Sequence, residues 1–214
     1  MKVAVVVFPG SNCEHDVVHA LETMGGVADL VWHRDTDLSE FGGVVLPGGF
    51  AHGDALRTGA IARFSPVMAE VTRMAESGAP VLGICNGFQI LCEAGLLPGA
   101  LIANRDLSFI CRFVEVEVVD TETILTRAAR DGQRIRIPLN SYEGNWVDPS
   151  GEGRVVLRYI GDPNGSQHRA AAVANQTGNV VGVMPHPERG SDPLLGSADG
   201  LILLEGFLRS MAPA

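Results

Sequence analysis

Pro80-Val81-Leu82-Gly83-Ile84-Cys85-Asn86-Gly87-Phe88-Gln89 is the stretch that decides the fold. Its apolar run, Val81 to Ile84, ends in Gly83-Ile84-Cys85-Asn86-Gly87, where small residues stand two positions to either side of a cysteine. A buried strand that turns straight into a helix at such a pentapeptide is a nucleophile elbow, which holds the nucleophile strained and exposed at the top of a sheet. The spacing predicts the helix over 87–94, with Gly95 as its stop. Free N–H groups and the dipole at its start favour a Cys85 thiolate. Working outward, strands over 2–8, 30–33, 43–46 and 81–84 alternate with helices over 14–24 and 66–77, stopped by Gly25-Gly26 and Gly78. Apolar strands separated by helices predict a mainly parallel, doubly wound (flavodoxin-like) sheet in a three-layer α/β sandwich. The second half changes character. Strands over 113–119, 134–138, 154–160, 170–175 and 180–184 have no long helix between them, and Pro163-Asn164-Gly165-Ser166 and Thr177-Gly178-Asn179 are turn signals. Extra antiparallel strands are expected there, as hairpins or an edge sheet, before a closing helix over 201–211. With no repeat or linker, the chain reads as one domain over 1–214.

The last strand leads into Pro185-His186-Pro187-Glu188. Residues i and i+2 of an extended strand share a face, so Glu188 can reach the His186 imidazole, and Pro187 biases His186 away from helical geometry. Cys85, His186 and Glu188 thus supply a nucleophile, a base and the carboxylate that orients it. A buried cysteine on a tight turn is ordinary by itself, but that reading leaves two polar residues at the end of a second apolar strand unexplained. Leu46-Pro47-Gly48-Gly49-Phe50 ends the third strand and can expose N–H groups toward the same crevice. With the N–H of Asn86 this loop makes an oxyanion hole, although alone it is an ordinary glycine turn. Gln89 lies one helical turn after Cys85, where it either contacts a polar substrate or faces solvent. His15 and His19 stand four apart on the first helix, but the metalloprotease Glu and a third ligand are missing, so no metal is assigned. No dinucleotide fingerprint or P-loop is present. Cys13 and Cys111 read as structural thiols, and His33, His52 and His168 as loop or surface residues.

Composition narrows the class. The 214 residues are 46% hydrophobic and 19% charged, enough apolar material for one sizeable core and too little charge for a disordered chain. A net charge of −9 argues against nucleic acid and anionic membranes as partners. The opening apolar run, residues 3–8, is too short to span a bilayer and reads as a strand rather than a signal peptide. The expected location is therefore the cytoplasm, with all four cysteines as free thiols.

These features together resemble the class I (triad) glutamine amidotransferases, and within them the glutaminase subunits of phosphoribosylformylglycinamidine synthases of purine biosynthesis. The resemblance covers essentially the whole chain. It is carried by Phe8-Pro9-Gly10-Ser11-Asn12-Cys13-Glu14, Leu46-Pro47-Gly48-Gly49-Phe50, Gly53-Asp54, Leu56-Arg57-Thr58-Gly59-Ala60, Gly83-Ile84-Cys85-Asn86-Gly87-Phe88-Gln89, Glu143-Gly144-Asn145, Pro163-Asn164-Gly165-Ser166 and Met184-Pro185-His186-Pro187-Glu188-Arg189. The chain departs from the family at Ser141-Tyr142, where a His-Gly pair is usual, and at His52 and Ala55, where aromatic residues are common. The resemblance implies hydrolysis of L-glutamine to glutamate and ammonia by Cys85, His186 and Glu188. Gly48, Gly49, Phe50, Asn86 and Gln89, with Ser108 and Phe109 of the loop 104–109, would contact the substrate. It further implies a large ATP-dependent synthetase subunit, which uses ATP and Mg and receives the ammonia, and a small bridging subunit. An amidotransferase subunit of another pathway and a related elbow-cysteine hydrolase on the same scaffold are the alternatives.

Overall fold

The structure, a computed structural model, describes residues 2–211. Runs of branched residues set the first half. Val3, Val5 and Val6 lie in β1 (Lys2–Val7), and Val44 and Val45 in β3 (Phe41–Leu46), all with no exposed surface. Such strands, buried on both faces, need helices above and below them. The helices are α1 (Glu14–Thr23), α2 (Val67–Glu76) and α3 (Asn86–Glu93), interleaved with β2 (Val27–Trp32) and β4 (Val81–Ile84). The second half contributes β5 (Ala100–Ile102), β6 (Ile110–Val118), β7 (Arg134–Ser141), β8 (Asn145–Val147), β9 (Arg154–Tyr159), β10 (Ala170–Ala174), β11 (Val180–Val183) and the closing helix α4 (Gly200–Ser210).

Nine of these strands form one sheet, in the order β2-β1-β3-β4-β11-β10-β9-β6-β7. From β2 to β11 every pairing is parallel, and from β11 to β7 every pairing is antiparallel. The antiparallel half therefore extends the parallel sheet instead of standing apart as hairpins. Only β5 and β8, three residues each, pair separately. They are too short to show a strand pattern in the sequence.

Glycines fix the layers. A Cβ on Gly83 or Gly182 would strike α3, at Leu91 and Phe88 respectively, and a Cβ on Gly43 would strike Phe207 and Met211 at the end of α4. Leu46 shares the register and face of Gly83, and Gly43, three residues before it, points the other way. So α3 covers one face, while α4, in contact with α1, covers the other. This is the expected three-layer sandwich. The consequential pairing is β11 beside β4, with Val183 opposite Ile84. It brings residues about a hundred positions apart to the same sheet end, where ligands bind in open α/β sheets.

Candidate active site

Cys85 has φ +50° and ψ −103°, a conformation that β4 and α3 impose between them. Its N–H donates to Val183 O at 2.8 Å, continuing the parallel ladder one residue past the strand, and its C=O accepts from Gln89 N–H at 3.2 Å as the helix begins. A non-glycine residue held at positive φ costs about 1–3 kcal/mol and persists only where its surroundings over-determine it. The sulfur, 3.5 Å from Asn140 O, lines a cavity of about 550 Å³.

His186, three residues past the end of β11, lines the same cavity. Its N–H donates to Pro138 O at 2.7 Å, and Nδ1 lies 2.6 Å from Glu188 Oε1. Both residues are about 2% exposed. The pairing expected from strand alternation is present, but the backbone is not extended. Pro187 has φ −63° and ψ −35° and opens a short 3₁₀ turn, Glu188–Gly190, so Glu188 reaches back through a turn. Burial pushes the His186 pKa down, while the Glu188 charge and Cys85 push it up and prevail, holding it well above the ordinary value. His186 Nε2 is buried without a protein partner, on a ring that lines the cavity. An unpaired buried donor or acceptor is uncommon, and catalytic contacts often close only once substrate is present.

The loop after β3 is shaped by close approaches. Gly49 has φ +151°, and a Cβ there would lie 2.7 Å from Ser11 Cα. Gly48 does not line the cavity. It backs the histidine, since a Cβ on it would stand 2.7 Å from His186 Cε1 and 2.9 Å from Cys13 Sγ. A bridge between Ser11 and Gly49 uses Asn12 N–H to Gly48 O and Phe50 N–H to Gly10 O, the latter 2.9 Å. Of the N–H groups of this loop, that of Phe50 is thus already committed. Gly49 N–H makes no backbone hydrogen bond among the described residues, and Asn86 N–H belongs to the unpaired first turn of α3.

The expected substrate contacts divide. Gly49, Phe50, Gln89 and Phe109 line the cavity, whereas the Asn86 and Ser108 side chains do not. The Asn86 side chain accepts from Ala51 N–H at 3.0 Å and donates to Gln89 Oε1 at 2.9 Å. Gln89 in turn donates to Glu143 O at 2.6 Å, so both ends of its amide are occupied and it ties α3 to the turn after β7. Ser108 contributes a carbonyl to the buried Asn104 side chain, which also bonds Ser141 O and Gly144 N–H.

Sequence reasoning passed over several residues. Cys13, read as a structural thiol, is buried against His186 and lines the cavity, and burial pushes its pKa up. Cys111 is exposed on the same cavity, opposite Asn140 in the β6–β7 register. His33, expected on a loop or surface, is buried with Nδ1 3.0 Å from Ser65 Oγ and its ring 5.4 Å from that of His52. His168 is in an irregular loop turn, as expected. Asp54 and Glu143 face the cavity as a carboxylate pair, with Thr58 Oγ1 donating to Glu143 at 2.7 Å. Burial first, and then the Glu143 charge, raise the Asp54 pKa to about 6. Asp54, Thr58 and Glu143 fall inside the runs that carry the family resemblance, the one sequence signal that points to them.

Residues 1–198 match the model of the CobB/CobQ-like glutamine amidotransferase domain. The chain is 53% identical over 218 residues to the phosphoribosylformylglycinamidine synthase subunit PurQ of Rubrobacter xylanophilus, covering 99% of this chain and 97% of that one. It is 50% identical over 220 residues to the same subunit of Trichormus variabilis, covering 99% and 98%. Among solved structures it is similar to a chain of PurLQS from Thermotoga maritima, at 44% identity and TM-score 0.95, with 99% of each chain covered.

Proposed function

Because the chain belongs to the CobB/CobQ-like glutamine amidotransferase family, we propose that it is the glutaminase subunit of a phosphoribosylformylglycinamidine synthase. It hydrolyses L-glutamine and hands the ammonia to a synthetase subunit. The observation that carries this reading is the convergence of the strained Cys85 and the Glu188-oriented His186 in one cavity, from adjacent parallel strands. No helix among the described residues is long and apolar enough to cross a membrane, which fits the cytoplasmic setting we assign.

The chemistry follows from the positions. The Cys85 sulfur attacks the side-chain carboxamide carbon of glutamine, and the carbonyl oxygen takes up negative charge. Gly49 N–H and Asn86 N–H face that oxygen. Fixed donors of this kind contribute on the order of 3–4 kcal/mol each, judged from removing one elsewhere. His186 Nε2 passes a proton to the departing nitrogen, and ammonia leaves a glutamyl thioester on Cys85. His186 then takes a proton from water, the hydroxide attacks the thioester, and glutamate departs with the thiol restored. Glu188 keeps the Nδ1 proton in place so that Nε2 faces the reaction. Asp54 and Glu143 give the cavity a negative wall that suits the substrate ammonium, and Gln89 and Asn104 hold the walls in position.

The partner synthetase is proposed to use ATP and Mg, with a small bridging subunit completing the assembly. Ammonia released without an acceptor is wasted, so we propose that docking stimulates hydrolysis. A stimulation of roughly tenfold to a hundredfold corresponds to about 1–3 kcal/mol of coupling. The test is glutamate release from L-glutamine by the purified chain, with and without synthetase, bridging subunit and nucleotide. No release in either condition refutes the glutaminase assignment. Full activity from the chain alone, unchanged by its partners, refutes the stimulation.

A further inference from the structure

Of the thiols that the mechanism above leaves unused, one is buried against the catalytic histidine. Cys13 sits at the start of α1, and one potential ligand atom from each of Cys13, His186 and Glu188 lies within 4.8 Å of the other two, all three residues being buried. We propose that these three side chains form an inhibitory site for a soft divalent cation, of which zinc is the type.

The donor set selects the ion. A thiolate, an imidazole and a carboxylate suit zinc or cadmium, whereas magnesium and calcium favour oxygen ligands throughout. Donors around a four-coordinate zinc stand about 2.0–2.3 Å from the metal, hence roughly 3–4 Å apart. His186 Nδ1 and Glu188 Oε1, at 2.6 Å, open slightly to admit it, and Cys13 closes by about 1 Å at most. A second observation points to a ligand independently. Glu188 Oε2 is buried without any protein partner, a carboxylate oxygen with its bonding capacity unspent. Access comes through the catalytic cavity, since Cys13 and His186 both line it. The nearby cation Arg189 is drawn off by Asp16, with Nε 2.9 Å from Oδ2.

The step balances without any change of oxidation state. The metal bonds to Cys13 Sγ, His186 Nδ1 and a Glu188 oxygen. The Cys13 thiol proton and the His186 Nδ1 proton leave to solvent, while Nε2 keeps its proton. A neutral imidazole protonated at Nε2 cannot take a proton from Cys85 or water, so the cation stops hydrolysis without touching the nucleophile. Binding rests on geometry alone. Its inhibitory consequence rests on the role proposed for His186.

The test uses the full chain carrying Cys111→Ser, which removes the exposed cavity thiol. Cadmium is titrated while the thiolate-to-metal charge-transfer absorption is followed, with stoichiometry from equilibrium dialysis, in that background and with Cys85→Ala, Cys13→Ser or Glu188→Gln added. The expected result is one cation per chain, a band that survives Cys85→Ala and disappears with Cys13→Ser. Binding should be weakened by Glu188→Gln at least as much as the roughly 10–100-fold that loss of an outer-shell partner costs. If Cys13→Ser does not fold by circular dichroism, the Glu188→Gln and Cys85→Ala arms decide. A band that survives Cys13→Ser in folded protein, one that vanishes with Cys85→Ala, affinity unchanged by Glu188→Gln, or the absence of one-to-one binding overturns the site. Zinc should also abolish glutamate release, reversibly with a chelator, and binding without inhibition overturns the inhibitory role. Lack of glutaminase activity in metal-free protein would instead count against the proposed function, with the absorption band still reporting on the site.

Discussion

Gly48→Ala tests how the base is seated. Gly48 has an ordinary backbone conformation, so only space decides the outcome. The added methyl would stand 2.7 Å from His186 Cε1 and 2.9 Å from Cys13 Sγ, where ordinary contact begins at 3.4 Å. The imidazole must therefore retreat by about 0.7 Å, and it is not free to do so. Its backbone N–H is held by Pro138 O and its Nδ1 by Glu188. Misplacing a catalytic group by about 1 Å can cost about a hundredfold in rate, so kcat for glutamate release should fall roughly 10- to 100-fold. Overpacking of a buried site costs typically about 1–3 kcal/mol, so the denaturation midpoint should fall as well. The assay is steady-state glutamate release, paired with urea unfolding. A folded variant with kcat within twofold of the parent would show that Gly48 does not position His186.

Loss of the orienting carboxylate should hurt less than loss of the base, so kcat should rank parent, then Glu188→Gln, then His186→Ala. The reverse order for the last two would contradict their roles. A glutamine-like diazo-ketone should label Cys85 and be blocked by glutamine, whereas a generic alkylating reagent should also take the exposed Cys111. Cys92 should react last, because burial, followed by the Glu93 and Asp148 charges, pushes its pKa far up; peptide mapping that finds Cys92 modified first would refute this. The Asp54 pKa is raised in the fold, to about 6 from 3.8, so its contribution to stability is fully present below about 4 and is lost as pH rises through 6. Asp54→Asn should therefore gain in melting temperature relative to the parent on going from pH 5 to pH 8, and an unchanged difference would show that burial and the Glu143 charge do not raise the Asp54 pKa.

The elbow was legible because all its parts are local: a four-residue apolar strand, a cysteine between small residues and a helix that Gly95 stops. His186 and Glu188 were legible as chemistry, but not in their geometry, since a turn at Pro187 joins them where an extended strand was expected. What the sequence did not reveal is mostly contact at long range. Cys13 meets His186 only because β11 pairs beside β4, and Thr58 meets Glu143 across 85 positions. Short apolar runs between turn signals mark β9 and β10 as strands, yet nothing local says that they continue the parallel sheet through β11. Gln89 lines the same cavity as Cys85, but its amide is taken up by Asn86 and the Glu143 carbonyl, a bracing role that nothing in the sequence indicates.

The central claim is that Cys85 is the nucleophile of a glutaminase, and Cys85→Ala tests it most directly. The change removes one sulfur from a site whose walls are otherwise held by Gln89, Asn86 and Asn104, so the fold should survive, as circular dichroism can verify. Glutamate release should collapse on the order of a millionfold, as when the nucleophile is removed from a comparable triad. In the assembled synthase, free ammonia should still support synthesis. Near-normal glutamate release by the folded Cys85→Ala protein would contradict the account.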